Sequence, residues 1–414
     1  MAQMDAEDPA ARTMTALGLR ARLDRLGGPA RPRPRPVAAL PRGFEAVPTP
    51  FGDAMLREDV IPLPPLDPDP GCVAYLDTET TGLNGGAGTY VFAAAVARPI
   101  DCGLRLAQLF LPQPGLEAAF LHQLREELGA ANGLASFNGG SFDLPVLRTR
   151  WVMARMPGEL ASLPHVDLLT LVRALFRHRM ESCTLRIVEE RLLGYERDDP
   201  IASALVPDAY FEYLHRGSSP MLEAVLEHNR LDVISLVHLH SRLLSRLEGG
   251  DAGMDASDWL ALGRHRLRRG ARADGWHALR NAAGFAGRAP ANNAGRAQDA
   301  RSNVDEDEAA ATAGLLIARR LARRGTSVAG AERLLGWLES RVAYDVRLPV
   351  ARARLLEWRR REPQLALAVV EAAQSRIPDE AAALESRRTR LRRKAANRQR
   401  LTKHTETPAA SLFG

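Results

Sequence analysis

Acidic residues at three places in this chain have the types and spacing that divalent-metal chemistry uses. In Cys72–Leu83, CVAYLDTETTGL, an apolar run breaks off into Asp77, Thr78 and Glu79. Val73 to Leu76 reads as a buried strand, with Pro70-Gly71 before it and Thr81-Gly82 after. Side chains two apart on a strand share a face, so Asp77 and Glu79 are expected to project together. Two carboxylates held so close repel each other unless cations sit between them. Oxygen-only ligands suit Mg²⁺ or Mn²⁺, and two such ions per site are a standard arrangement for phosphodiester cleavage. A solvated strand end with two acids accounts for the D-x-E alone equally well.

The second place is Ser136–Arg148, SFNGGSFDLPVLR. A strand ends at Asn138, glycines turn the chain, and Phe142-Asp143 opens a helix that carries Leu144, Val146, Leu147 and Trp151. Pro145 falls in the first turn, where proline is tolerated. Asp143 also suits a helix N-terminus electrostatically, without any metal. Asn138 either positions a scissile phosphate or closes the turn. The third place is Glu227–Leu236, EHNRLDVISL, in a helical pattern that runs from Leu222 to Leu247. His228 and Asp232 stand four apart and share a helical face. A neutral imidazole there could take a proton from a water, and a surface His–Asp pair is the plainer account.

Something must position these groups. Thr89–Ala97 and Leu104–Leu111 read as strands, Leu116–Leu128 as an amphipathic helix, and Leu134–Asn138 as a further short strand. His165 to Leu169 reads as a short strand entering a helix, with Asp167 as a helix cap or a group behind the site. Hairpin-linked strands followed by strand–helix alternation predict an α/β mixed sheet flanked by helices. The Asn84–Gly88 turn lacks the context of a dinucleotide-binding loop. The acidic Glu196–Asp199 segment reads as solvent-facing loop.

Composition sets the frame. The 414 residues allow two or three domains, and 45% hydrophobic content is enough for ordinary cores. No uninterrupted apolar run is long enough to span a membrane, and the first residues lack the basic-then-apolar pattern of a secretion signal. The three cysteines are scattered, with no C-x-x-C, so a reducing cytoplasm is expected. Net charge is +6, but Arg387–Lys403 alone holds nine Lys/Arg and no acid, so the remainder is net negative. The division expected is an accessory N-terminal helix and Pro-rich linker over 1–70, a catalytic domain over 71–249, a helical domain over 250–380 and a basic tail over 381–414.

Taken in this order, DTETTGL, FNGGSFDLP and HNRLD resemble the three motifs of the DnaQ-like DEDD 3′–5′ exonucleases, which have the ribonuclease H-like fold. The flanking GGAGTYVF, DLPVLRTR, SCTLRIVE and EHNRLDVISL are similar to the YprB-like branch of predicted bacterial exonucleases. The resemblance runs from about Gly71 to Leu247. It implies four metal-binding carboxylates, Asp77, Glu79, Asp143 and Asp232, and two-metal hydrolysis of DNA or RNA. One subclass carries a tyrosine four residues before the last aspartate, and the other a histidine five before. His228 occupies the tyrosine position with the histidine's chemistry. Thr78, Thr81 and Leu83 are implied to touch the terminal nucleotide. The competing reading is a nucleic-acid-binding adaptor whose nuclease-like domain scarcely cuts.

Beyond this, Ala256–Ile377 is rich in alanine, leucine and arginine at helical spacing. Three helix pairs are expected, with leading helices ending at Gly270, Gly325 and Pro363. Gly287–Asp307 reads as an inserted loop. Its removal brings the spacing near the tetratricopeptide (TPR-like) period, and an irregular bundle is the alternative. Such a region suits a protein partner. Its arginines and the basic tail suit phosphate contacts.

Overall fold

A computed structural model describes residues 39–82, 88–101, 103–156, 163–197, 202–249, 253–284, 299–323, 327–342 and 344–405. Residues 1–38 of the expected accessory segment and Leu83 lie outside these residues. The chain divides into two compact units. The first comprises residues up to Pro65, Gly71–Asp167 and Arg197–Val237, and the second comprises Leu66–Pro70, Leu168–Glu196 and the chain from His238 onward.

The first unit is built on a mixed sheet of seven strands. They are β1 (Glu45–Thr49), β2 (Gly52–Ile61), β3 (Val73–Thr80), β4 (Val91–Ile100), β5 (Gly103–Phe110), β6 (Gly133–Ser136) and β7 (His165–Asp167), in the spatial order β1-β2-β5-β4-β3-β6-β7. β3 lies inside the sheet, antiparallel to β4 and parallel to β6. Its pairing with β4 slips one residue between Glu79 and Thr80, so that Glu79 faces Ala93 and Thr80 faces Val91. Such a bulge re-aims the side chains beside it. Helices α1 (Glu117–Gly129) and α2 (Asp143–Met153) follow β5 and β6.

Further along the chain come α3 (Leu168–Phe176), the short α4 (Leu185–Val188), α5 (Val206–Arg216) and the long α6 (Pro220–Glu248), whose residues up to Val237 belong to this unit. Every residue of β4 from Val91 to Ala97 is buried, which requires cover on both faces of the sheet. On one side Tyr210 of α5 stacks on Phe92, with centroids 4.4 Å apart, and its hydroxyl donates to the Leu111 carbonyl at 2.9 Å. Trp151 of α2 is 1% exposed and donates its indole N–H to the Leu121 carbonyl of α1.

The sheet extends further toward the N-terminus than the sequence pattern shows. β1 and β2 form an antiparallel hairpin, and β2 pairs with β5 from Met55↔Phe110 to Ile61↔Leu104. Residues 45–61, read as part of an accessory segment, are therefore sheet. Pro48, Pro50 and alternating charges in β2 hide the strand signal.

The second unit is helical. Its pairs are α7 (Ala256–Arg268) with α8 (Arg272–Gly284), α9 (Asp299–Arg323) with α10 (Val328–Glu339), and α11 (Arg347–Leu355) with α12 (Pro363–Arg376). Two expectations need correcting. Residues 299–307 open α9 instead of forming a loop. The basic tail forms α13 (Ala381–Thr405), packed on α12 through Leu384 and Leu391, seven apart and both buried. Some of its cations have partners: Arg390 and Lys394 pair with the buried Glu357 at 2.7 and 2.6 Å, and Arg392 pairs with Glu371 at 2.7 Å. Among the described residues no helix is long and apolar enough to cross a membrane.

Candidate active site

Strand alternation turns Asp77 and Glu79 to one face at the end of β3, where both are half-buried. Asp143 is the first residue of α2 and is 6% exposed. It therefore occupies the helix start that its sequence suggests and also points back at β3, where it accepts the Thr78 hydroxyl at Oδ1. Asp232 and His228 lie on α6, with His228 Nε2 3.6 Å from Asp232 Oδ2.

The electrostatics tie these acids together. Burial first, then the carboxylates of Asp232, Glu79 and Asp143, push the Asp77 pKa well above the ordinary carboxylate value. A hydrogen bond from Asn229 pulls the other way. Burial raises Asp143 to about 6 against the Thr78 hydrogen bond, and the charge of Asp167 adds to the rise. Carboxylates from three distant stretches thus act on one point. They are not drawn tight: no three donor residues of this set have ligand atoms within 4.8 Å of one another. Mutual repulsion opposes closer approach, and each of three acids is held by its own donor.

Two of those donors, Asn229 and Arg197, are groups the sequence does not single out, and the third, Thr78, is expected from it to touch substrate. Asn229 is fully buried, and its Nδ2 donates to Asp77 Oδ2 at 2.7 Å and to the Asp77 carbonyl at 3.1 Å. Its Oδ1 accepts Gln108 Nε2 of β5 at 3.0 Å, and the same Nε2 reaches the Leu226 carbonyl at 2.7 Å. Arg197 donates to Asp232 Oδ1 at 2.5 Å and to Ser235 Oγ at 3.0 Å. Asn229 had a signal, since a polar residue flanked by core positions Leu226 and Val233 must be buried and bonded. Arg197 had none, because its partner lies on a different element.

The turn before α2 depends on its glycines. Asn138 is exposed, takes φ 64°, and donates its N–H to Asp167 Oδ1 at 3.0 Å. A Cβ on Gly139 would run into Ser136 Oγ and lie 3.0 Å from Asp143 Oδ2, and one on Gly140 would lie 3.3 Å from Asp167 Oδ2. Only glycine lets the turn pass this close to two acids. Asn138 thus closes the turn, and Asp167 holds that turn from behind. Ser136 Oγ is 2.8 Å from His165 Nε2, whose pKa is lowered by burial. Of the residues expected to touch substrate, Thr78 is 8% exposed with its hydroxyl committed to Asp143. Thr81 Oγ1 accepts the Tyr90 N–H at 2.9 Å, and Leu83 lies outside the described residues.

The chemistry of the donor set, four carboxylates and no nitrogen or sulfur, fits hard divalent cations such as Mg²⁺ or Mn²⁺. Among the described residues a second cluster, His178, Asp255 and Asp258 in the helical unit, does bring three ligand atoms within 4.8 Å. Its buried acid, Asp258, is already neutralised by Arg179 and by Arg246 at 3.0 Å, so it is an ion-pair knot.

Residues 74–244 match the RNase_H_2 family model of the RNase_H superfamily. Over 176 residues the chain is 35% identical to the uncharacterized protein YprB of Bacillus subtilis (strain 168), a match covering 42% of this chain and 42% of that protein. The chain thus spans less than half the length of this curated relative. Among solved structures it is similar to Escherichia coli exonuclease I in complex with a dT13 oligonucleotide, at 17% identity and TM-score 0.29 over 42% of this chain and 43% of that one. It is also similar to Brucella melitensis NrnC bound to pGG, at 18% identity and TM-score 0.28 over 56% and 95%. At these scores the likeness is too loose to bear on function. The sheet-bearing unit is ribonuclease H-like by the family match and by its mixed sheet with flanking helices.

Proposed function

We propose that the first unit is a metal-dependent 3′–5′ exonuclease that hydrolyses phosphodiester bonds of DNA or RNA. The ribonuclease H-like match of residues 74–244 supports a nuclease. The observation that carries the finer reading is the position of Asp77, at the end of an interior strand and within the field of Asp232, Glu79 and Asp143 together. Acids from three separated motifs converge there, and helix-start or surface-pair accounts of each taken singly do not require that.

Asp77, Glu79, Asp143 and Asp232 would hold the cations. When bound, the pair supplies Lewis acidity for activating water and for stabilising the leaving oxygen. The chain's own residues do the rest. Asn229 orients Asp77, Thr78 orients Asp143, and Arg197 orients Asp232, each through one carboxylate oxygen. His228, with 27% of its side chain exposed beside Asp232, is the group proposed to take the proton from the attacking water at its imidazole. Asn138, exposed at the turn, and the Thr81–Leu83 segment after β3 are the groups proposed to meet the terminal nucleotide. Thr78 acts through Asp143 in this reading.

The helix pairs of the second unit are read as a TPR-like domain that contacts a protein partner. A cytoplasmic site accords with the free Cys72 and Cys183. A second reading, an adaptor that binds nucleic acid and scarcely cuts, draws on one observation: Arg197 already neutralises Asp232.

The test uses single strands labelled at either end, with Mn²⁺ or Mg²⁺, and wild type beside Asp77→Asn. Stepwise shortening of 5′-labelled strands, with immediate release of label from 3′-labelled ones, is expected from wild type. Asp77→Asn is expected to lose about a hundredfold or more. Equal rates in the two proteins would refute the assignment.

A further inference from the structure

The helical unit holds a groove that the proposed chemistry does not use. α9, α10, α11 and the turn Leu356–Arg360 enclose about 660 Å³. Leu315, Leu335 and Leu355 supply apolar floor, and Arg319, Arg354 and Trp358 stand exposed at its edge. No acidic side chain is among the groove's lining residues. Some other arginines of the unit are neutralised, as Arg352 is by Glu332 and Glu339, and Arg390 by Glu357. Among the described residues Arg319 and Arg354 make no ion pair. The charge of Arg354 is felt nearby: burial first, then Arg390 and, against Glu357, Arg354 lower the Arg387 pKa.

A ligand for this groove must offer apolar surface to the floor and negative charge to the edge. Single-stranded nucleic acid supplies the charge, but its bases need aromatic faces. The groove has one aromatic residue, Trp358, and Lys394 Nζ already lies 4.0 Å over its ring. Leucine and alanine side chains instead suit the anchors of an amphipathic helix laid in a groove. Charge complementarity then selects acids on the flanks of that helix. Independently of the nuclease reading, we propose that this groove docks an acidic segment of a partner protein that carries leucine or phenylalanine anchors.

A random-peptide display library, panned on the full chain and counter-selected on Arg319→Glu/Arg354→Glu, tests this. Both arginines are exposed and unpaired, so the double variant is expected to fold, with circular dichroism as the check. Enriched peptides should be net acidic with Leu or Phe at helical spacing. By anisotropy they should bind the double variant about tenfold or more weakly, and Arg280→Glu, exposed on α8, about as tightly as wild type. Three results each overturn the proposal: enriched peptides without acidic bias, unchanged affinity in the double variant, or loss of labelled oligothymidylate binding in the double variant while peptide binding persists.

Discussion

Asn229 offers a sharper test than the acids, because its proposed role is wholly one of positioning. It is fully buried and joins three groups: the Asp77 carboxylate at 2.7 Å, the Asp77 carbonyl at 3.1 Å and the Gln108 amide at 3.0 Å. Asn229→Ala deletes all three bonds without removing an acid. A hydrogen bond to a charged group is worth ~1.5–3 kcal/mol and a neutral one ~0.5–1.5, so the loss is about 2–5 kcal/mol if the bonds are not fully additive. The Gln108 amide keeps the Leu226 carbonyl, which limits the penalty on that side. Asp77 has no such reserve. It loses the donor that opposes burial and the three neighbouring carboxylates, so its pKa rises further. Ion binding requires the ionised carboxylate, so Mn²⁺ affinity should fall as well. Urea unfolding measures the first effect and titration calorimetry with Mn²⁺ the second. A variant within about 0.5 kcal/mol of wild type, with unchanged Mn²⁺ affinity, would refute the idea that Asn229 holds Asp77.

Three further outcomes are expected. Mn²⁺ at about a hundred times its Kd should stabilise wild type by ~2.7 kcal/mol, and Asp143→Asn should abolish most of that shift in thermal melts, with EDTA reversing it in wild type. Gly139→Ala should cost about 1–3 kcal/mol by chemical denaturation and lower Mn²⁺ affinity, because its Cβ meets Ser136 Oγ and crowds Asp143. Asp258 supplies a pH signature: burial alone would raise it, but hydrogen bonds from His178 and Arg179, and the charges of Arg246 and Arg179, hold it well below the usual range. A depressed folded pKa gives stability that is present above the unfolded value near 3.8 and lost as pH falls through the folded value, so Asp258→Asn should cost about 3–5 kcal/mol at pH 7 and progressively less below about pH 4.

What the sequence makes legible divides along a physical line. Asp77 and Glu79 on β3, and His228 and Asp232 on α6, are related by the local periods of strand and helix, so their shared faces can be read from spacing alone. β3 and β4 stand out because buried strands carry apolar runs, and β5 by its alternation. β1 and β2 do not, because a hairpin with Pro48, Pro50 and alternating charges takes its stability from pairing with β5, far along the chain. Asn229 was half legible: its burial follows from its neighbours, but its partners on β3 and β5 do not. Arg197 was not legible at all, since nothing near it names Asp232.

Charge obeys the same division. A run of nine cations between Arg387 and Lys403 looks like a grip for phosphate when it is read along the chain. In the fold it is part of α13, where Arg390 and Lys394 meet Glu357 and Arg392 meets Glu371. Pairing of that kind weakens the field that the run suggests. Among the described residues Arg319 and Arg354, thirty-five residues apart in sequence, make no ion pair and border an apolar floor. Net charge along a sequence therefore says how much cation there is, whereas the position of the glutamates decides where any of it can act on a partner.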